Sequence, residues 1–205
     1  MSGVGTRLWE EKALPAPDRS ECLRYLRAPQ ADERLEALLD SCLDELAGQL
    51  SPRLCYRVCS ASDAEVAFLR ESGSRALAER LAGCSHVLVL AATLGVGIDR
   101  LIARYTSLSP ARALCLQAIG CERIEAVCDS FCEEWRLRGF VLRARFSPGY
   151  GDLALELQRD IFAYLDCPTR IGLYLRDSLL MTPTKSVTAI VGIEGEGMEE
   201  RFEFS

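Results

Sequence analysis

The sequence predicts an α+β domain in which helices cover a mainly antiparallel sheet. Strand-like and helix-like patterns are mixed along the chain without the strict strand–helix–strand rhythm of a parallel sheet. The 205 residues suffice for one domain with its own hydrophobic core, and 49% hydrophobic and 26% charged residues are ordinary globular values. We therefore expect a single domain that spans residues 1–205.

The first half of the chain contains both helical and strand patterns. Residues 1–17 show no periodicity and are expected to be irregular, with Trp9 as an anchor. Asp18 is a favourable helix cap, and the leucine spacing after Asp32 is that of an amphipathic helix. The predicted elements are a helix from Asp18 or Ser20 to about Arg27, a helix Asp32–Leu50, strands Leu54–Ser60 and Glu65–Leu69, a helix Ser74–Ala82, a strand His86–Ala92 and a helix Ile98–Tyr105.

The second half begins with a long helix, for which Pro110 is a normal start and Gly139 a normal stop. The segments that follow are shorter and less regular, and the tail 194–205 is acidic and expected to be loose. The predicted elements are a helix Ala111–Arg138, a strand Phe140–Arg145, a turn Ser147–Asp152, a helix Leu155–Leu165 and strands Leu179–Thr182 and Ser186–Ile193.

Charge and hydropathy exclude several classes of protein. The net charge of −6 argues against a nucleic-acid-binding protein, which usually carries a basic surplus. The longest strongly apolar run, Val87–Leu94, is far shorter than the roughly 20 residues of a membrane-spanning helix. The first residues lack the apolar core of a secretion signal, so we expect a cytoplasmic protein without a membrane partner.

The ten cysteines are expected to be reduced thiols. Cys121, Cys128 and Cys132 fall within about 40° of one another on the long helix, which suits either a thiolate metal site or a tightly packed helix face. The ends of that stripe lie about 16 Å apart, too far for one ion, which favours packing. The lone histidine, His86, excludes sites that need two histidines, and its place in a strand favours a structural role.

Two glycine-containing turns are candidates for ligand binding. Thr93–Gly97 joins a buried strand to a helix and resembles a nucleotide-binding loop, but the third glycine of that motif is replaced by Arg100. The alternative is a strand-to-helix turn that simply needs glycine.

The second turn, Arg145–Asp152, combines a guanidinium, a rigid proline, two glycines and an aromatic ring. Arg145 can hold a carboxylate with two hydrogen bonds, Gly149 allows close approach to the main chain, and Tyr150 can stack on a ring or face a cation. These groups suit a small zwitterion with a flat ring, and a purely structural turn is the alternative.

The segment Arg145–Tyr150 resembles the Arg-x-x-x-Gly-Tyr signature of the activation domain of cobalamin-dependent methionine synthase. Three further family motifs follow in the same order and spacing, and the resemblance spans roughly residues 111–193. These motifs are Arg170–Gly172, Leu175–Ser178 and Met181–Val187. The N-terminal half is similar to stand-alone relatives of this domain.

The resemblance implies a twisted antiparallel sheet and a site for S-adenosylmethionine (AdoMet). It assigns Arg145 to the methionyl end of the ligand, Ser147 and Gly149 to main-chain contacts, and Tyr150 to the signature aromatic residue. Glu125, on the preceding helix, is the candidate for the family's glutamate, which would hold the ammonium or sulfonium charge. No catalytic side chain and no metal ligand is expected, because the chemistry resides in AdoMet and cobalt.

The resemblance further implies a partner protein. The predicted function is binding of AdoMet for reductive reactivation of a cobalamin-dependent methyltransferase, most simply methionine synthase, with a flavodoxin-like electron donor. Cobalamin is expected on the partner, because this chain shows no cobalamin-binding Asp-x-His-x-x-Gly sequence. The chain is then an activation subunit of a methyltransferase system rather than an independent enzyme.

Departures from the family pattern keep two other functions open. The N-terminal ligand-binding aspartate has no counterpart, and only Phe202 and Phe204 lie near the place of a later ligand-side tyrosine. One alternative is therefore a non-catalytic interaction or assembly subunit that has lost AdoMet binding. The other is a metal or redox protein built on the three-cysteine helix face.

Overall fold

The computed structural model describes residues 5–9, 14–28 and 30–195. Residues 1–4 and 10–13 of the expected irregular N-terminus, and residues 196–205 of the expected acidic tail with Phe202 and Phe204, lie outside the described residues. Within the described ranges, no helix combines the length and apolar character needed to cross a membrane.

Five strands form a main sheet in which every neighbouring pair is antiparallel. The strands of the structure are β1 (Arg7–Trp9), β2 (Arg53–Ser60), β3 (Cys84–Thr93), β4 (Val141–Leu142), β5 (Tyr174–Leu175), β6 (Met181–Thr182) and β7 (Ser186–Glu194). The spatial order in the main sheet is β1–β2–β3–β7–β4, and β5 and β6 form a separate hairpin. The predicted antiparallel sheet with flanking helices is confirmed.

Eight α-helices in the described residues cover the two faces of this sheet, together with short 3-10 turns at Ala64–Val66 and Leu155–Leu157. The helices are α1 (Arg19–Leu26), α2 (Glu33–Leu46), α3 (Ala67–Glu71), α4 (Arg75–Leu81), α5 (Val96–Leu108), α6 (Pro110–Leu137), α7 (Gln158–Leu165) and α8 (Cys167–Ile171).

The central strand β3 is buried on both faces and divides the interior into two cores. Leu88, Leu90 and Ala92 face the core formed with α1, α2, α5 and α6. The alternating residues, such as Val87 and Val89, face the core formed with α3, α4, α7 and α8. Because successive side chains of a strand point to opposite faces, an unbroken apolar strand requires helices on both sides.

The N-terminal segment is better ordered than the sequence predicts, since residues 7–9 form an edge strand paired with β2. Trp9 packs edge-on against Phe131 at a centroid distance of 5.6 Å, and its indole N–H donates to Glu134 at 2.6 Å. Trp9 is thus the anchor that the sequence suggested. The prediction of an irregular segment is wrong for residues 7–9, because three residues are too few to show a period in the sequence. They can nevertheless pair with the edge of β2.

Helix capping accounts for two further features of the first half. Asp18 accepts hydrogen bonds from the backbone of Ser20 and Glu21, as predicted for the start of α1. The predicted strand Glu65–Leu69 is wrong, because this segment is helical and belongs to the 3-10 turn and α3. The Asp63 carboxylate accepts from the Glu65 backbone N–H at 2.9 Å and thereby initiates the helical turn.

In the second half, two strands are shorter than predicted and one is longer by one residue. Strand β4 covers two residues of the predicted strand Phe140–Arg145, and β6 covers two of the predicted strand Leu179–Thr182. Glu194, placed in the loose tail by sequence, is the last residue of β7 and pairs with Val141. The additional helix α8 was not predicted because its five residues are too few to show a helical period.

The glycine turn after β3 serves packing. Gly95 has a φ of +80°, and a Cβ there would lie 3.2 Å from the Ser51 Cβ. A Cβ on Gly97 would lie 2.9 Å from the Gln49 carbonyl carbon and would collide with the carbonyl oxygen. The main chain at residues 49–51 therefore covers the turn, which supports the glycine-requiring turn over a nucleotide-binding loop.

The Gly97→Ala variant is expected to be destabilised by about 1–3 kcal/mol, because the added methyl group displaces backbone rather than a flexible side chain. Urea unfolding measures this loss. The matched control is Gly5→Ala, since a Cβ on Gly5 meets nothing within 4 Å. Equal stability of the two variants would contradict the close packing of the turn.

Candidate ligand-binding site

The edge of the sheet positions Arg145. Beyond β4 the chain continues alongside β7: the Arg143 N–H donates to the Gly192 carbonyl at 2.9 Å, and Phe146 and Ile190 exchange two backbone hydrogen bonds. Phe146 is buried in the core beside α7. Because neighbouring side chains of extended backbone alternate, Arg145 points to the opposite side, toward α6.

Helix α6 presents two carboxylates to this arginine. Glu125 and Asp129 are four residues apart and therefore share one helix face. Arg145 Nη2 donates to Glu125 Oε2 at 2.6 Å, and Arg145 Nη1 donates to Asp129 Oδ1 at 2.6 Å. The arginine side chain is 20% exposed, whereas those of Glu125 and Asp129 are 44% and 71% exposed. The carboxylates therefore keep oxygen atoms available to solvent or a ligand.

The cysteines beneath this cluster are part of the core. Burial raises the pKa values of the Cys128 and Cys132 thiols, so both are held in the uncharged form. Across the described ranges, no three His, Cys, Asp or Glu side chains come together in a group that could hold a metal ion. The arrangement of Cys121, Cys128 and Cys132 thus favours the packing interpretation over a thiolate metal site.

The turn after Arg145 is fixed by its own backbone. Gly149 donates to the Leu153 carbonyl at 2.8 Å, and Tyr150 donates to the Ser147 carbonyl at 3.2 Å. Gly149 has a φ of +90°, a conformation that favours glycine. As a result Tyr150 projects outward, with 68% of its surface exposed.

Asp152 ties this turn to α4. Its carboxylate accepts from Ser74 Oγ at 2.5 Å and from the backbone N–H groups of Arg75 and Ala76 at 2.8 and 3.2 Å. These bonds, that from Ser74 first, hold the pKa of Asp152 below its ordinary value. The turn and the N-terminus of α4 therefore form one unit.

The four predicted residues Arg145, Ser147, Tyr150 and Glu125 line one cleft of about 680 Å³. Gly149 shapes the turn beside it. Sequence reasoning missed several other lining residues, which come from separate elements. They are Arg80, Asp129, Arg136, Gln158, Met181 and Thr188. Two of them carried a sequence signal: Asp129 lies one turn beyond Glu125 on the same helix, and Met181 opens the motif Met181–Val187.

Two of the missed lining residues each carry a buried polar atom. Gln158 Oε1 and Thr188 Oγ1 are buried and have no hydrogen-bond partner in the described part of the chain. A third, Arg80, lies over the Phe146 ring at 4.7 Å and forms no ion pair with any described carboxylate. The lining of the cleft therefore combines cationic, anionic and neutral polar side chains.

Comparison with solved structures places this fold. The chain is similar to the MetH reactivation domain bound to AdoHcy, with a TM-score of 0.59 and 16% sequence identity. The match covers 80% of this chain and 66% of that chain, so the chain spans just under two thirds of that structure. No protein-family model and no curated protein matches the sequence. At this identity the likeness shows the shared α+β fold.

Asp152→Ala is expected to lower the melting temperature at neutral pH, because it removes the carboxylate that joins the turn to α4. A lowered folded-state pKa stabilises the protein above the ordinary value of 3.8, and this contribution is lost as pH falls further. The melting temperatures of the variant and the wild type should therefore differ less near pH 3 than near pH 7, as measured by thermal unfolding.

The control for this measurement is Asp44→Ala, which removes an exposed carboxylate from α2. Its difference from wild type should not shrink in the same way. A constant difference for Asp152→Ala across this pH range would contradict the role given to its carboxylate.

Proposed function

We propose that this chain binds AdoMet in the cleft beside Arg145 and serves as a reactivation module for a cobalamin-dependent methyltransferase, namely methionine synthase. The observation that carries the proposal is the convergence of Arg145, Ser147, Tyr150 and Glu125 on one cleft. The likeness to a reactivation domain that was solved with AdoHcy supports it. AdoHcy is AdoMet without the transferable methyl group.

The chemistry of the cleft suits AdoMet. Its volume of about 680 Å³ lies within the range of roughly 300–1,000 Å³ that is usual for small-molecule sites. AdoMet carries a carboxylate, an ammonium, a sulfonium and a flat adenine ring. The guanidinium of Arg145 complements the carboxylate, Glu125 and Asp129 complement the positive charges, and Tyr150 offers a stacking surface.

The ion pairs of Arg145 are compatible with this role. A guanidinium has five N–H donors, and Glu125 and Asp129 each take one of them. Further donors remain for a ligand carboxylate. Gln158 and Thr188 add neutral polar side chains to the lining, so the residues present fit a polar, zwitterionic molecule.

The mechanism assigns binding and orientation to this chain. When bound, AdoMet supplies the methyl group that restores the methylated cobalamin of the partner, after one-electron reduction by a flavodoxin-like donor. Arg145, Glu125 and Asp129 fix the amino-acid end, and the buried cleft wall limits the positions of the remainder. No side chain is required as nucleophile, because the protein provides orientation and electrostatics.

Exposed apolar side chains near the cleft support the expected partner. Tyr150 and Leu180 are 68% and 63% exposed, and Leu180 adjoins the cleft residue Met181. Apolar side chains at the mouth of a polar cleft are typical of a surface that another molecule covers. We assign this side to the cobalamin-binding methyltransferase module.

A specific observation also favours the alternative of a non-catalytic interaction subunit. Arg145 is already engaged by two carboxylates at 2.6 Å, as in a purely structural cluster. If the three charges serve only to join α6 to the sheet edge, the fold persists without AdoMet binding. Direct ligand titration separates the two functions.

Calorimetric titration with AdoMet is expected to give saturable binding by the wild type and at least a tenfold weaker affinity for Arg145→Ala. Tenfold corresponds to about 1.4 kcal/mol, close to the lower end of the range of about 1.5–3 kcal/mol for a charge-assisted hydrogen bond. The matched control is Arg143→Ala, which removes a neighbouring arginine that pairs with Glu194 and lies outside the cleft. It should bind like the wild type.

The proposal would be contradicted if the wild type did not bind millimolar AdoMet, either alone or with a cobalamin-binding partner added. The function as a non-catalytic interaction subunit would then be favoured. Binding that is equally strong in Arg145→Ala would contradict the assigned site. Binding that appears only with the partner would support a site completed in the complex.

Tyr150→Ala tests the stacking surface. We expect weaker binding of AdoMet by several-fold, since aromatic stacking on a base contributes about 1–3 kcal/mol, with little change in the weak binding of methionine, which lacks the ring. Tyr174→Ala, also an exposed tyrosine, is the control. An equal loss for both ligands would show that Tyr150 supports the turn rather than the ring.

A further inference from the structure

Lys185 is a buried lysine whose side-chain amine contacts a thiol. The residue is 9% exposed, and its Nζ donates to Cys121 Sγ at 3.2 Å. Among the described residues, no Asp or Glu forms an ion pair with it. This is an unusual environment, because buried lysines generally pair with carboxylates.

The main chain holds Lys185 firmly in this position. Its carbonyl accepts from the Leu94 N–H at 2.9 Å, and the preceding Thr184 is held by the Asp99 carboxylate through its N–H at 2.8 Å and its hydroxyl at 2.6 Å. The lysine stem then crosses α6 at Gly120, where an added Cβ would lie 2.9 Å from Lys185 Cε. Gly120 thus admits the stem, which brings Nζ to the sulfur of Cys121.

Cys121 differs from most other cysteines of the chain. Eight of the ten are buried, and only Cys84 and Cys121 are partly exposed. Cys84 Sγ lies against a backbone carbonyl, that of Arg80, at 3.7 Å. Cys121 therefore combines access to small oxidants with an amine in contact, and cysteines beside lysine are typically the reactive ones.

We propose that Cys121 and Lys185 form an oxidation-driven covalent cross-link, a sulfenamide bond between Sγ and Nζ, with hydrogen peroxide as the oxidant. In the first step, the Cys121 thiolate attacks one peroxide oxygen, an S–O bond forms and the O–O bond breaks. The hydroxide that leaves takes a proton from the Lys185 ammonium. The products are a sulfenic acid, one water and a neutral amine.

In the second step, the lone pair of Lys185 Nζ attacks the Cys121 sulfur, an S–N bond forms and the S–O bond breaks. The leaving hydroxide takes a proton from the same nitrogen and becomes a second water. Overall, one thiol, one amine and one peroxide give one sulfenamide and two waters. The sulfur is oxidised by two electrons, and the peroxide is reduced.

The cross-link would join α6 to the start of β7, close to the cleft. Ser186 and Val187, which follow Lys185, line the cleft, and Cys121 lies one turn before Glu125 on α6. Thiols restore the free pair, since a sulfenamide is reversible. The inference does not depend on the identity of the ligand in the cleft.

The experiment treats the purified full chain with hydrogen peroxide and measures its intact mass under denaturing conditions. The cross-link is expected to remove about 2 Da, two hydrogen atoms, and dithiothreitol should restore the original mass. Trypsin should then release peptides 113–123 and 177–201 as one linked species, because the bond blocks cleavage after Lys185. Fragmentation distinguishes Cys121 from Cys115 within the first peptide.

Three variants complete the test. Cys121→Ser and Lys185→Arg should abolish the linked species, whereas Cys84→Ser should retain it. Cys121→Ser is a small change at a partly exposed position, so the test does not depend on the folding of Lys185→Arg. A protein that gains only oxygen, a disulfide that accounts for the lost mass, or a linked species that persists in Cys121→Ser would overturn the proposal.

Discussion

The double burial of β3 is the constraint on which the rest of the structure depends. Every residue from Val87 to Thr93 is at most 1% exposed, although the sheet is antiparallel and most such sheets leave one face to solvent. Both faces must therefore be covered, and both edges of the strand must be paired. Strands β2 and β7 pair with the two edges of β3, and the two groups of helices pack on its two faces.

The candidate site follows from this arrangement at one edge. Strand β7, fixed against β3, offers its other edge to residues 141–146, and the paired bonds between Phe146 and Ile190 set the register there. With Phe146 committed to one core, Arg145 can only face the other side, where α6 carries Glu125 and Asp129. A shift of one residue would bury the arginine and expose the phenylalanine, so the register protects the site.

Sequence patterns predicted the elements that are long or capped and missed those that depend on tertiary pairing. The periods of α2, α5 and α6 and the apolar run of β3 span enough residues to be unambiguous, and Asp18 marks the start of α1. Strand β1 and helix α8 are too short to show a period. In the candidate site, Arg145 and Tyr150 were predicted from a local motif, whereas Arg80, Gln158 and Thr188 are distant in sequence and meet only through packing.

The charges of the cleft are compatible with both of the proposed functions. Arg145 is compensated by Glu125 and Asp129, so the cluster is stable without a ligand, as an interaction subunit requires. The same carboxylates remain partly exposed, and Arg80 lines the same cleft without an ion pair to any described carboxylate. A zwitterion can therefore enter without leaving an uncompensated buried charge, because each of its charges meets an opposite one already in place. Electrostatic pre-organisation of this kind favours the proposed ligand site over a purely structural cluster.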